Sequence, residues 1–127
     1  MNFSEFPEFS KDIKRLGKKW KTLSKDLQIT QIALTSLYDF DQENIEEIRA
    51  NFFDGHAATI LKKTADFELV KMRMNCMSPG AKNKVRLVFT YVKIKDTITF
   101  IELYSKNDKP REDEWRIKNF LEDRGLR

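Results

Sequence analysis

The chain has 127 residues, 40% of them apolar and 35% charged; that is enough for one buried core over residues 1–127, too little for two ordinary domains, and too apolar for a disordered chain. The formal net charge is +4, and no apolar run approaches the roughly 20 residues a transmembrane helix needs. Met1-Asn2-Phe3-Ser4-Glu5-Phe6 lacks the basic and apolar regions of a signal peptide, so the expected location is the cytoplasm. The single cysteine, Cys76, excludes an internal disulfide and reads as small buried filler rather than as a nucleophile.

In chain order, Phe6, Phe9, Ile13, Leu16, Trp20 and Leu23 recur at three- and four-residue spacing with lysines between them, predicting an amphipathic helix with Pro7 in its first turn and a weak point at Gly17. Thr22 or Ser24 then caps a second helix that turns Leu27, Ile32, Leu37 and Phe40 inward. Asp41 to Phe53 reads as a third helix, capped by Asp41, with Ile45, Ile48 and Phe52 on one side and acidic residues opposing its dipole. Asp54-Gly55-His56 ends it, and His56, the only histidine, reads as a loop residue.

Asp66 to Cys76 alternates as a strand, with Phe67, Leu69, Lys71 and Arg73 on one face and Val70, Met72 and Met74 on the other; Met72, Met74 and Met77 are all read as core. Ser78-Pro79-Gly80 turns into a basic loop, Ala81-Lys82-Asn83-Lys84. Two strands follow, joined at Lys95-Asp96. The first places Val85, Leu87, Phe89 and Tyr91 against Arg86, Val88, Thr90 and Val92; the second places Ile98, Phe100, Glu102 and Tyr104 against Thr97, Thr99, Ile101 and Leu103. A last helix over Pro110 to Leu121, capped by Asn107 or Asp108, docks through Ile117, Phe120 and Leu121. These elements predict an α+β domain: helices of the N-terminal half on one face of a small antiparallel sheet, the opposite face basic and concave.

Charge is unevenly spread. Between Lys62 and Lys95 stand nine Lys or Arg against only Asp66 and Glu68, whereas residues 39–47 carry five acidic residues and no basic one. A basic sheet beside an acidic segment points to a phosphate-rich partner. No His/Cys/carboxylate set stands at metal-ligand spacing, no glycine motif cradles phosphate, and a lone histidine completes no serine triad, so neither metal nor cofactor is expected. Clustered cations on a sheet can still act on RNA, whose 2′-hydroxyl is an internal nucleophile, by holding the phosphate and stabilising charge on its oxygens, and a lysine shifted downward by its cationic neighbours is the expected group to deprotonate that hydroxyl.

Val85-Arg86-Leu87-Val88-Phe89 resembles the RLVY strand of the RelE/ParE superfamily of type II toxins. Phe100 to Lys109, FIELYSKNDK, is similar to the strand and lysine-containing exit that follow it in RelE-like members. Leu16-Gly17-Lys18-Lys19-Trp20-Lys21-Thr22-Leu23 with Asp26-Leu27 resembles the family's first helix and the loop after it. The resemblance implies a helical hairpin packed on a sheet and ribosome-dependent, metal-independent cleavage of messenger RNA, restrained by a cognate antitoxin protein. It implies catalytic positions at Arg86, at Lys71 and Arg73 on the preceding strand, and at Lys106; beside them, Lys82, Lys84, Lys109 and Arg111 are read as RNA-binding cations. Two places depart from the pattern: Asn107 stands where an arginine often follows the lysine, and a tyrosine near the C-terminus has no counterpart. Lys109, Arg111 and Tyr104 are the candidates to replace them. Typical members are shorter, which marks the third helix as an insertion. Gyrase inhibition of the ParE kind and non-catalytic RNA or ribosome binding are the alternatives.

Overall fold

In the computed structural model, which describes residues 1–127, the elements are β1 (Asn2–Glu5), α1 (Pro7–Gly17), α2 (Leu23–Leu37), α3 (Ile45–Phe52), β2 (Ala58–Lys63), β3 (Phe67–Arg73), β4 (Val85–Val92), β5 (Thr97–Ser105) and α4 (Glu114–Asp123). The fold is α+β, and the expected β4–β5 hairpin forms, its turn closing at Asp96 with a φ of 46°. The sheet is mixed rather than purely antiparallel. Its order is β1-β5-β4-β3-β2, and β1 runs parallel to β5 with Asn2 opposite Thr97 and Glu5 opposite Phe100. Four residues with little apolar content give no strand signal alone; β1 forms because β5 offers a free edge. The N-terminal amine lies 3.0 Å from the Asp96 carboxylate, and Phe3 stacks on Phe100 at 5.8 Å.

One face of the sheet holds the larger core, where Phe9 and Leu16 of α1, with Leu23, Leu27, Leu34 and Leu37 of α2, meet Val70, Met72, Val85, Leu87, Phe89, Ile98 and Phe100. The N-terminal helices thus pack on one face, as their apolar stripes require. The predicted first helix stops at Gly17, and a turn through Trp20 leads into α2. Thr22 stands at the start of α2, yet its hydroxyl bonds the Asp26 carboxylate at 2.7 Å rather than a backbone amide. Two residues expected inside α2's packing lie outside it: Ile32 is 73% exposed and Phe40 is 50% exposed. Leu34 and Thr30 take the inward positions. Met77 is likewise exposed, past the end of β3, whereas Met72, Met74 and Cys76 are buried. The third helix begins at Ile45, with Asn44 instead of Asp41 at its N-cap position.

The opposite face is not an open basic concavity. Ile117 and Phe120 of α4 cover part of it, closing a second core over Phe67, Leu69, Val88, Ile101 and Tyr104. The helix starts at Glu114, capped by Asp113, whose carboxylate accepts from the Arg116 amide at 3.0 Å; Asn107 and Asp108 belong to the preceding loop. A bulge in β5 decides which residues reach this face. Val88 pairs with Glu102 but Phe89 pairs with Phe100, leaving Ile101 as the extra residue. The expected alternation therefore breaks: Ile98, Phe100 and Leu103 enter the larger core, while Ile101 and Tyr104 turn toward α4. Buried Asp12 of α1 accepts from the Leu103 amide at 2.9 Å, and Arg116 of α4 donates to the Ile101 carbonyl at 3.1 Å and to Asp12 at 2.5 Å. The irregular backbone is thereby satisfied from both layers.

Candidate functional site

Where α4 stops covering the sheet, the bare remainder is basic. Strand register builds it: Arg73 is the partner of Arg86, and Arg86 is the partner of Tyr104. The Arg73 amide bonds the Ala57 carbonyl at 2.8 Å, and the Lys106 amide bonds the Lys84 carbonyl at 2.8 Å, so the segments entering β2 and leaving β5 end at the same level. A hollow of about 210 Å³ opens there, lined by His56, Thr59, Lys71, Arg73, Arg86 and Lys106 among others. The four residues at which the resemblance implies catalysis, Lys71, Arg73, Arg86 and Lys106, thus line one concavity.

Their states differ. Lys71 donates to Glu112 at 2.9 Å, a carboxylate from the loop before α4. Burial pushes the Glu112 carboxyl upward, but the Lys71 bond and the charges of Lys71 and Arg111 hold it below the usual carboxylate range. No carboxylate pairs with Arg73, Arg86 or Lys106. Arg86 donates through Nη1 to the carbonyls of Asn83 at 2.9 Å and Val85 at 3.3 Å, which fixes its direction. Burial, then the charge of Arg73, lowers its pKa. Like charges directly opposite on neighbouring strands are unfavourable, so an anion seated between Arg73 and Arg86 relieves a repulsion already built into the sheet. Lys106 donates to the Pro110 carbonyl at 3.2 Å and stays exposed at the β5 exit.

The other cations sit elsewhere. Lys109 turns inward to the buried carboxylate of Glu102 and lies 5.2 Å from the Tyr104 ring centre. Arg111 pairs with Glu114 at 2.9 Å on the surface. Lys82 is exposed and Lys84 half-buried on the loop leading to Arg86, outside the lining of the hollow. Tyr104 is buried beside Arg86, its hydroxyl pushed up to about 12 by burial and by Glu112 and Glu102.

A second hollow of about 560 Å³ adjoins the first, sharing His56, Ala57, Met72 and Arg73 and continuing over Ile29, Phe52, Asn75, Met77 and Asn83. His56 stands at the junction. Its amide and that of Ala57 bond the Asp54 carboxylate at 2.7 and 3.2 Å, and Gly55, with φ at 93°, supplies the left-handed turn. Sequence spacing gave no sign of this placement, because His56 is 15 residues or more from every cation it meets except through the fold.

No family model, curated protein or solved structure matches this chain. Its residues therefore carry the functional argument alone. No helix is long and apolar enough to cross a membrane, and no three His, Cys, Asp or Glu side chains gather where they could hold a metal ion.

Proposed function

We propose that this chain is a RelE-type toxin: an endoribonuclease that cuts messenger RNA on the ribosome, acts without a metal, and is held in check by a cognate antitoxin. The observation that carries this reading is the meeting of Lys71, Arg73, Arg86 and Lys106 around one hollow, three of them without a carboxylate partner. The helical hairpin packed on a sheet is also the arrangement that the resemblance implies. A scissile phosphate seated over Arg73 and Arg86 meets two planar guanidinium groups, the side chain best matched to phosphate oxygens. Their charge stabilises the extra negative charge that builds as the ribose 2′-oxygen approaches phosphorus. Both stand on hydrogen-bonded neighbouring strands, with Arg73 directly opposite Arg86.

A translation reaction with purified ribosomes and a defined message, with RNA ends mapped by primer extension, tests the reading. New ends inside the translated frame, dependent on ribosomes and reduced about 100-fold by Arg86→Ala, are the expected result. An intact message and normal translation would overturn it. Non-catalytic RNA binding has one observation in its favour: Lys71 and Lys109 are engaged by Glu112 and Glu102, which reduces the charge left for chemistry. Salt-sensitive binding of ribosomes without new ends identifies that alternative.

A further inference from the structure

We infer that His56 is the proton acceptor of the cationic hollow, taking the proton of the attacking 2′-hydroxyl while Lys106 on the opposite rim protonates the leaving oxygen. This rests on the nuclease reading and assigns the acid and base that the sequence left open. The other side chains with reactive polar groups around the hollow are Lys71, Arg73, Arg86, Lys106 and the hydroxyl of Thr59. Ammonium and guanidinium groups offer donors only. Arginine keeps its proton, and a threonine hydroxyl is far too weak a base. Neutral imidazole alone among them presents an acceptor lone pair on a ring nitrogen.

The placement suits an in-line displacement. Across the sheet the order is β5, β4, β3, β2, so Lys106 after β5 and His56 before β2 flank Arg86 and Arg73. At about 4.8 Å per strand the two rims stand roughly 14 Å apart at the backbone; the Lys106 ammonium, which rests on the Pro110 carbonyl at 3.2 Å, has to leave that carbonyl to meet a phosphodiester that the imidazole approaches from the other rim. The loop that presents the imidazole is fixed by the Asp54 carboxylate, which is occupied with the His56 and Ala57 amides. The charged groups around His56 are Lys71 and Arg73 from β3, Arg86 from β4, Lys106 at the β5 exit, Asp54 on its own loop and Asp26 of α2 across the wider hollow. Asp26 is itself occupied, accepting from the Thr22 hydroxyl at 2.7 Å and the Met77 amide at 3.2 Å.

In the step, the 2′-hydroxyl proton passes to the imidazole and the 2′-oxygen forms a bond to phosphorus. The bond from phosphorus to the 5′-oxygen breaks with its electron pair on that oxygen, which takes a proton from the Lys106 ammonium. The products are a 2′,3′-cyclic phosphate and a 5′-hydroxyl. The imidazolium and the lysine amine return to their starting states by exchange with water, so no co-reactant is consumed.

The test is the single-turnover cleavage rate on ribosome-bound message, measured against pH for the wild type, His56→Gln, His56→Ala with added imidazole, and Arg86→Ala. His56 is exposed, so its variants should keep the wild-type circular dichroism and melting. The expected result is a loss of about 100-fold or more in His56→Gln, disappearance of the acid limb of the pH profile, unchanged ribosome binding, and partial rescue of His56→Ala by imidazole. Wild-type rate and profile in His56→Gln, with cleavage still abolished by Arg86→Ala, would overturn the assignment while leaving the nuclease reading standing. Absence of cleavage by the wild type would overturn both.

Discussion

Asp12 shows how much one side chain can hold. It is buried on α1, and its carboxylate accepts from the Leu103 amide of β5 and from both Nη atoms of Arg116 on α4, at 2.5 and 3.2 Å. Burial pulls the Arg116 pKa down, but the Asp12 hydrogen bonds and charge more than offset it, leaving the guanidinium raised. Replacing Asp12 by Ala leaves a half-buried cation and the Leu103 amide without this acceptor. The expected loss is about 3 kcal/mol, measured by denaturant unfolding, with Arg116→Met less harmful than Asp12→Ala because it leaves no uncompensated cation. Glu68 plays a similar part on β3: it takes hydrogen bonds from Tyr38 at 2.8 Å and Arg49 at 2.5 Å. Arg49 also lies 4.9 Å from the Tyr38 ring and 5.1 Å from that of Phe53, so a charge helps hold α3 to the sheet alongside the apolar packing of Ile45, Ile48 and Phe52.

Among the helices, α2 is the one whose packing face differs from expectation. Leu23, Leu27, Leu34 and Leu37 face the sheet, while Ile29 and Ile32 face outward. The apolar residues of this helix nearly encircle it, so periodicity leaves two candidate faces and the neighbouring layers decide between them. Leu34→Ala should cost about 3 kcal/mol by opening the core, whereas Ile32→Ala should stay within about 0.5 kcal/mol of the parent. Paired melting curves check both. At the other layer, α4 bounds the site: its docking through Ile117 and Phe120 leaves the end beside Arg73 and Arg86 uncovered, and a separate hollow of about 490 Å³ lies between the helix and Leu61, Lys62 and Leu69.

For the molecule as a whole, the relevant quantity is where positive charge remains after internal pairing. Lys71, Lys109, Arg111, Arg116 and Arg49 are all matched by carboxylates; around the hollow at one end of the sheet, the charge left unpaired is that of Arg73, Arg86 and Lys106. If these three contact phosphates, binding of a single-stranded RNA should weaken with salt at a log–log slope of about −2. Arg86→Ala should make that slope shallower by about 0.7, read by fluorescence anisotropy over a salt titration. A slope that Arg86→Ala leaves unchanged would place the RNA on another face.

The sequence by itself determined the β4–β5 hairpin, the buried face of β3 and the joint projection of Lys71 and Arg73, because alternation at period two is a local property that a sheet only has to accept. It also determined the docking of α4, through the spacing of Ile117, Phe120 and Leu121. Only the tertiary structure decided that β1 pairs in parallel with β5, since its partner lies more than 90 residues away. The same holds for the β5 bulge, which reverses the facing of Tyr104 and depends on Asp12 and Arg116 to satisfy its backbone. It holds also for His56: a histidine after a glycine turn carries no periodic signal, and it joins the cations because β2 pairs with β3 at Ala58 and Met72 and brings the end of one loop beside Arg73. Local pattern chose the cations; long-range register chose the company they keep.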